Sequence, residues 1–241
     1  MKAVAIIPAR LASTRMPRKM LREINGKPLV GWAYEAVCRS ALLADVIIAA
    51  DSEEILDVCR KHTWNAQMTS ATHRSGTERV HEISNRVAAD VYINVQGDEP
   101  TVRPEQIAIL LETMQNPAVE VGTLKTRCPA PEVSNPNVVK VVTAADGRAL
   151  YFSRSTIPFD RDGTHPRYFK HLGLYAYRKR ALDFFTSHPE SSLEKSERLE
   201  QLRFLENGIS IYVAETPYDS IGVDTEEDLE RAAEVLQSRQ L

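Results

Sequence analysis

The run Ala3-Val4-Ala5-Ile6-Ile7-Pro8 and the loop behind it constrain the fold more than any other stretch. An unbroken apolar segment rich in β-branched residues suits a strand covered on both faces, as in a parallel sheet. Pro8 closes it, since proline cannot donate to a sheet ladder. Next comes Ala9-Arg10-Leu11-Ala12-Ser13-Thr14-Arg15-Met16-Pro17-Arg18-Lys19, with four cations and two hydroxyls in one loop. Open α/β sheets bind ligands beyond the carboxyl ends of their strands, where this loop falls. Arginine forks and a lysine there suit an anion with several oxygens, such as a nucleoside triphosphate. Taken alone, the loop reads equally as a solvated basic surface.

At 241 residues, 43% hydrophobic and 26% charged, the chain has the make-up of a soluble globular protein. It is one large domain, or a core with a smaller appended part. A net charge of −3 gives no reason to expect nucleic-acid binding, so the basic loop is a local feature. Cys38, Cys59 and Cys128 are scattered and lack CxxC spacing. That argues for a reducing compartment and against a disulfide framework or zinc site. No signal-peptide pattern follows Met1-Lys2, and no apolar stretch approaches bilayer length. The expectation is a cytoplasmic protein with no membrane insertion.

Strand and helix patterns alternate through the first half. Asn25-Gly26 is turn chemistry, and Pro28 is placed to open an amphipathic helix over 28–39. A buried strand spans 45–51, Ser52 is positioned to cap a helix, and a short strand covers 66–69. Thr72-His73-Arg74-Ser75-Gly76-Thr77-Glu78-Arg79 then leads into a helix. Its N-terminus can hold an anion or a base edge through backbone N–H groups, or can simply be a cap. A strand over 90–96 ends in Gly97-Asp98-Glu99-Pro100, where this architecture would place a metal-binding carboxylate. A helix over 104–114 and a strand over 119–124 follow. Short strands and turns over 126–178 read as an inserted antiparallel lobe. A helix over 193–205, a strand over 209–214 and a helix opened by Thr225-Glu226-Glu227-Asp228 complete the chain. The pattern predicts an α/β fold with a doubly wound, mostly parallel, Rossmann-like sheet.

No GxGxxG, GxxxxGK[ST], HExxH or GxSxG motif is present. The six histidines do not fall at ligand spacing. What remains is the basic loop, the hydroxyl-rich loop, and separated carboxylates at Asp98 and Asp224. Polyphosphate chemistry with Mg²⁺ needs those parts, because Mg²⁺ takes one or two protein carboxylates plus phosphate oxygens.

The basic loop resembles the nucleotide loop of sugar nucleotidyltransferases. The resemblance narrows with Ser75-Gly76-Thr77-Glu78-Arg79, Asn94-Val95-Gln96-Gly97-Asp98-Glu99-Pro100, Asn135-Pro136-Asn137 and Tyr151-Phe152-Ser153-Arg154. His171-Leu172-Gly173-Leu174-Tyr175, Leu199-Glu200-Gln201-Leu202-Arg203 and Gly222-Val223-Asp224-Thr225 complete the set. In this order, across nearly the whole chain, they resemble the 3-deoxy-manno-octulosonate (Kdo) cytidylyltransferase family. Singly, each has a plain reading: His171 as a satisfied histidine, Tyr175 as a core aromatic, Glu200 as a surface charge, Asp224 as a turn residue.

The resemblance implies a nucleotide-diphospho-sugar transferase fold, with residues 1–241 as one domain and 126–178 as a sugar-side and dimerisation lobe. It implies CTP and the acidic eight-carbon sugar Kdo as substrates, with CMP-Kdo and pyrophosphate as products for lipopolysaccharide assembly, and a homodimer. Arg10, Arg15 and Lys19 would hold the triphosphate and, with Asp98, form the catalytic set. Pro8, Ala9, Ser75, Gly76, Thr77, Arg79 and Gln96 would line the nucleotide. Asp98 and Asp224 would hold Mg²⁺. Arg154, His171, Tyr175, Glu200 and Gln201 would contact the sugar. Two departures stand out: Arg18 replaces a small residue, often glycine, which implies a stiffer loop or an extra phosphate contact. The loop over 160–170 is also short, which leaves an 8-amino Kdo, or another acidic sugar, open as substrate. A non-catalytic nucleotide-sugar binder is the alternative from another class.

Overall fold

The computed structural model describes residues 1–13, 16–164 and 166–239. The chain divides into two compact units, Met1–Ala108 with Ser220–Leu241, and Ile109–Asp219.

In the first unit β1 (Ala3–Ala9) is buried at every residue, as an apolar strand with neighbours on both sides must be. A two-residue hairpin follows, β2 (Glu23–Ile24) and β3 (Lys27–Pro28). Asn25 and Gly26 turn it at φ 51° and 74°, the left-handed values that such a turn demands. Then come α1 (Leu29–Cys38), β4 (Asp45–Ala50), α2 (Glu53–Lys61), β5 (Ala66–Met68), α3 (Gly76–Ser84) and β6 (Val91–Asn94). Ser52 caps α2, its hydroxyl accepting from the Ile55 N–H at 3.3 Å. The helix α4 (Pro104–Thr113) carries the chain across the boundary between the units. The strands lie in the order β5-β4-β1-β6, all parallel. The chain therefore winds outward from β1 through β4 to β5, then returns to β6 on the other side of β1. The order reverses between β1 and β6, and such a reversal opens a crevice beyond the strand ends.

The second unit contains β7 (Val121–Arg127), β8 (Lys140–Thr143), β9 (Ala149–Ser153), β10 (Phe169–Tyr177), α5 (Lys179–Ser187), α6 (Ser192–Glu197), α7 (Leu202–Glu206) and β11 (Ile211–Glu215). Its strands run β11-β7-β10-β8-β9, parallel only between β11 and β7. The last helix of the first unit, α8 (Glu226–Ser238), opens on the expected capping box. Thr225 Oγ1 accepts from the Asp228 N–H at 3.2 Å, and Asp228 accepts from the Thr225 N–H at 3.1 Å. Among the described residues no helix is long and apolar enough to cross a membrane.

The doubly wound, mostly parallel reading holds, and the local patterning fails in two places. The periodic run over 193–205 is two helices, because Arg198 turns left-handed at φ 55°. The physical reason is a buried ion pair. Arg203 donates to both carboxylate oxygens of Glu194, at 2.7 and 2.6 Å, and lies over the Phe185 ring at 3.8 Å. Nine residues along one continuous helix would hold these groups roughly 13 Å apart, at 1.5 Å per residue. The other place is α5, which has no counterpart in the reading above and buries Ala181, Leu182 and Phe185.

Gly31 on α1 shows how tightly the first unit is packed: a Cβ there would lie 2.0 Å from the Trp64 ring. Gly31→Ala should therefore lower the unfolding free energy by about 1–3 kcal/mol, the overpacking cost outweighing the better helix propensity. Urea denaturation monitored by circular dichroism checks this; an unchanged or raised midpoint would show that the indole moves aside freely.

Candidate active site

The loop after β1, the turn after β6 and the turn before α8 place the charged residues of the first unit. The basic loop leaves β1 at Ala9 and is rooted by Met16, which is buried in an apolar cluster with Ile24, Leu29, Trp32, Val223 and Leu236. Lys19 is only 8% exposed. Its ammonium donates to Asp98 Oδ2 at 2.5 Å and to Asp224 Oδ1 at 3.0 Å. Burial alone would lower its pKa, but the two carboxylates more than offset this and hold it above the ordinary lysine value. The backbone joins the same residues, the Val223 N–H donating to the Asp98 carbonyl at 2.9 Å. Two residues adjacent to these turns add further ties: Ser220 Oγ donates to Glu99 at 2.8 Å, and the Ile221 N–H donates to Thr101 Oγ1 at 2.8 Å.

Gly97, which carries no functional side chain, makes this arrangement possible. A Cβ there would sit 2.9 Å from the Pro8 carbonyl oxygen and 3.0 Å from Met20 Sδ. The turn that delivers Asp98 can thus lie directly against the end of β1. Pro8 also meets Gly76, whose Cβ would lie 3.5 Å from the proline ring, an ordinary contact distance. Gly76 and Gly97, from two separate segments, thus both lie against Pro8.

The remaining nucleotide-side residues divide by role. Arg10 is exposed at the start of the loop, and Gln96 is half-buried just past β6. Arg15 lies outside the described residues. Ser75 caps α3, accepting from the Glu78 N–H at 3.1 Å, and Thr77 is buried in the first turn. Arg79 is buried and donates to Thr69 Oγ1 at 2.7 Å, to the Ser70 carbonyl at 3.0 Å and to Asp51 at 3.5 Å. Its guanidinium shapes the loop from inside. Arg18 stands at φ 56°, a conformation that glycine adopts without steric cost, and its guanidinium pairs with Glu54 at the start of α2. The departure at position 18 is thus met by an ion pair.

The second unit holds the expected sugar-side residues. Lys140, fully buried, spends its ammonium on the carbonyls of Asn135, Val138 and Arg154 at 2.8, 2.6 and 2.6 Å. Arg154 in turn donates from Nε to the Glu197 carbonyl at 2.7 Å and from Nη1 to the Pro136 carbonyl at 3.1 Å. Glu197 accepts from Ser153 Oγ at 2.6 Å and from the Arg154 N–H at 2.9 Å. His171 Nε2 meets Thr123 Oγ1 at 3.0 Å, and the ring packs between Phe152 and Tyr175, with centroids 5.0 and 5.2 Å away. Burial pushes the imidazole pKa down to about 3. Tyr175 is buried, Glu200 is exposed, and Gln201 is 6% exposed with no hydrogen-bond partner for Nε2 among the described residues. The residues that patterning left unmarked are Asp51, Gly97, Lys140 and Glu197; only Gly97 carried a signal, as the glycine before an acidic turn.

A parallel sheet whose order reverses beside a cationic loop and an acidic pair defines a nucleotidyltransferase. A family model described as Cytidylyltransferase matches residues 4–211. The 3-deoxy-manno-octulosonate cytidylyltransferase of Koribacter versatilis is 65% identical over 239 residues, covering 99% of this chain and 91% of the relative. That of Acidobacterium capsulatum is 52% identical over 240 residues, covering 99% of this chain and 98% of the relative. The solved structure of CMP:2-keto-3-deoxy-manno-octonic acid synthetase complexed with CTP matches at TM-score 0.95 and 42% identity, over 100% of both chains. The chain belongs to the 3-deoxy-manno-octulosonate cytidylyltransferase family.

The His171 environment has a pH consequence. The folded imidazole stays neutral down to about pH 3, whereas the unfolded one titrates near 6.5. Between those values the unfolded chain binds more protons, so stability falls as pH drops through that window. The denaturation midpoint should fall more steeply between pH 6.5 and 4 for the native chain than for His171→Asn, by up to about one proton per molecule. Parallel pH profiles would mean that the ring is solvated.

Proposed function

We propose that this protein transfers the cytidylyl group of CTP to the anomeric hydroxyl of Kdo, giving CMP-Kdo and pyrophosphate for lipopolysaccharide assembly in the cytoplasm. The observation that carries this reading is the Asp98–Lys19–Asp224 cluster beyond the carboxyl ends of β1 and β6, where two carboxylates and one ammonium leave a net negative charge. Such a donor set fits Mg²⁺, whose remaining positions go to water and phosphate oxygens. Bound there, Mg²⁺ would neutralise and orient the phosphates. Arg10, Arg15 and Lys19 would bind the triphosphate, and Lys19, already charged, would need no proton change to do so. Pro8, Ala9, Ser75, Gly76, Thr77 and Gln96 would line the nucleotide, with Arg79 supporting them from within the loop.

On the sugar side, the buried Gln201 Nε2 is a donor awaiting an acceptor, and an isolated buried donor is costly unless a ligand satisfies it. Arg154 would face the sugar carboxylate as a charge-assisted donor, held in place by the carbonyls it already caps. His171 would contribute a neutral ring, with Tyr175 and Glu200 beside it. The hydroxyl attacks the α-phosphorus in line, so rate depends on positioning and charge neutralisation more than on a covalent enzyme intermediate. The lobe over 126–178 would pair two copies in a homodimer.

Asp98→Asn should fold normally by circular dichroism and lower kcat by about 10²-fold or more, on the scale of a lost electrostatic catalytic contact. Near-native turnover at saturating Mg²⁺ would sink the metal role. Pyrophosphate release with CTP and Mg²⁺ should occur with Kdo and stop with EDTA. Release only with 8-amino Kdo, or only with N-acetylneuraminate, would reassign the acceptor. CTP binding without release from any of the three would favour a non-catalytic binder.

A further inference from the structure

The geometry points to Asp51 as the positioning residue that sets the phosphate-side loop against the base-side loop, an inference that rests on the CTP reading above. Asp51 follows directly on β4 and touches both loops at once. Its N–H donates to the Ala9 carbonyl at 3.2 Å, and its Oδ1 accepts from the Leu11 N–H at 2.8 Å, inside the basic loop. Its Oδ2 faces Arg79 Nη2 at 3.5 Å. Arg79 continues to Thr69 Oγ1, and Thr69 returns its own N–H and hydroxyl to the Ala50 carbonyl at 2.7 and 2.8 Å. The bonds close a circuit from β4 through Arg79 and Thr69 back to β4, and the basic loop is tied to that circuit at Leu11.

Charge explains why the residue is an aspartate. The Arg79 side chain is 4% exposed and that of Asp51 11%, so the pair is largely removed from water. Arg10 lies near enough for its charge to act unfavourably on Arg79. Asp51 opposes that repulsion most directly, ahead of Glu82 and Glu78, which also act favourably on Arg79. With Asp51 facing Arg79, the exposed Arg10 is left to meet a triphosphate together with Lys19 and Arg15. Asp51 touches neither substrate; it acts through the Leu11 backbone and the Arg79 guanidinium.

The test is calorimetric titration of CTP with Mg²⁺ into the full chain and into Asp51→Asn, at a temperature where circular dichroism shows both folded. The amide keeps an acceptor for Leu11 and removes the charge facing Arg79. We expect CTP binding to weaken about tenfold and KM for CTP to rise in step, with kcat at saturating CTP changed less than about threefold. A residue that merely stabilises the fold would lower the melting temperature and leave the affinity of the folded fraction intact. A folded Asp51→Asn that binds CTP like the native chain overturns the inference. Failure of the native chain itself to bind CTP would overturn the underlying reading along with it. If Asp51→Asn does not fold, Thr69→Val tests the same circuit from its other end: severalfold weaker CTP binding is expected, and native affinity overturns the inference.

Discussion

A buried ammonium needs a counter-charge, and the way Lys19 is supplied with one organises the first unit. Its two carboxylates lie 79 and 205 residues away in sequence, so satisfying one lysine requires three distant turns to meet. Two carboxylates that face one ammonium repel each other less than they would without the cation between them. The ammonium therefore acts as a keystone where the basic loop, the turn after β6 and the turn before α8 meet. The close approach is secured at the backbone, through a glycine at position 97 that lets its turn lie on Pro8 and a Val223 N–H bonded to Asp98.

Several cations that look available for ligands are spent on the protein. Arg79 braces the base-side loop, Arg18 pairs with Glu54, and the buried Lys140 ammonium donates to three backbone carbonyls. Lys170, held by Glu132 and Asp219 at 2.8 and 2.7 Å, belongs to the same group. Each such ion ties loops whose backbones have few ladder partners, where an unpaired carbonyl would be costly. Among the described residues of the basic loop, Arg10 stands exposed at its mouth.

His171 illustrates a different use of burial. Packed against Phe152 and Tyr175 and bonded to Thr123, its ring is held neutral. A neutral imidazole offers directional hydrogen bonding without adding charge, here toward Thr123.

Much of this was legible in the sequence because its signals are local. An apolar β-branched run specifies a covered strand, Asn25-Gly26 a tight turn, Ser52 and Thr225 caps, and Gly97-Asp98 an acidic turn at a strand end. The ordered series of motifs carried the family resemblance, which close relatives bear out. Tertiary structure alone decided matters that depend on residues meeting from afar. The break at Arg198 follows from a Glu194–Arg203 pair that no helical period can express. Whether an arginine faces a ligand or a carbonyl turns on partners such as Thr69 and Glu197, dozens of residues away. The role of Asp51 likewise arises only when β4 is laid beside β1. Sequence determines what each segment can form by itself, because propensity, capping and turn chemistry act over a few residues. Which charges pair, and which remain for chemistry, is settled by burial, because only the assembled fold removes water from between them.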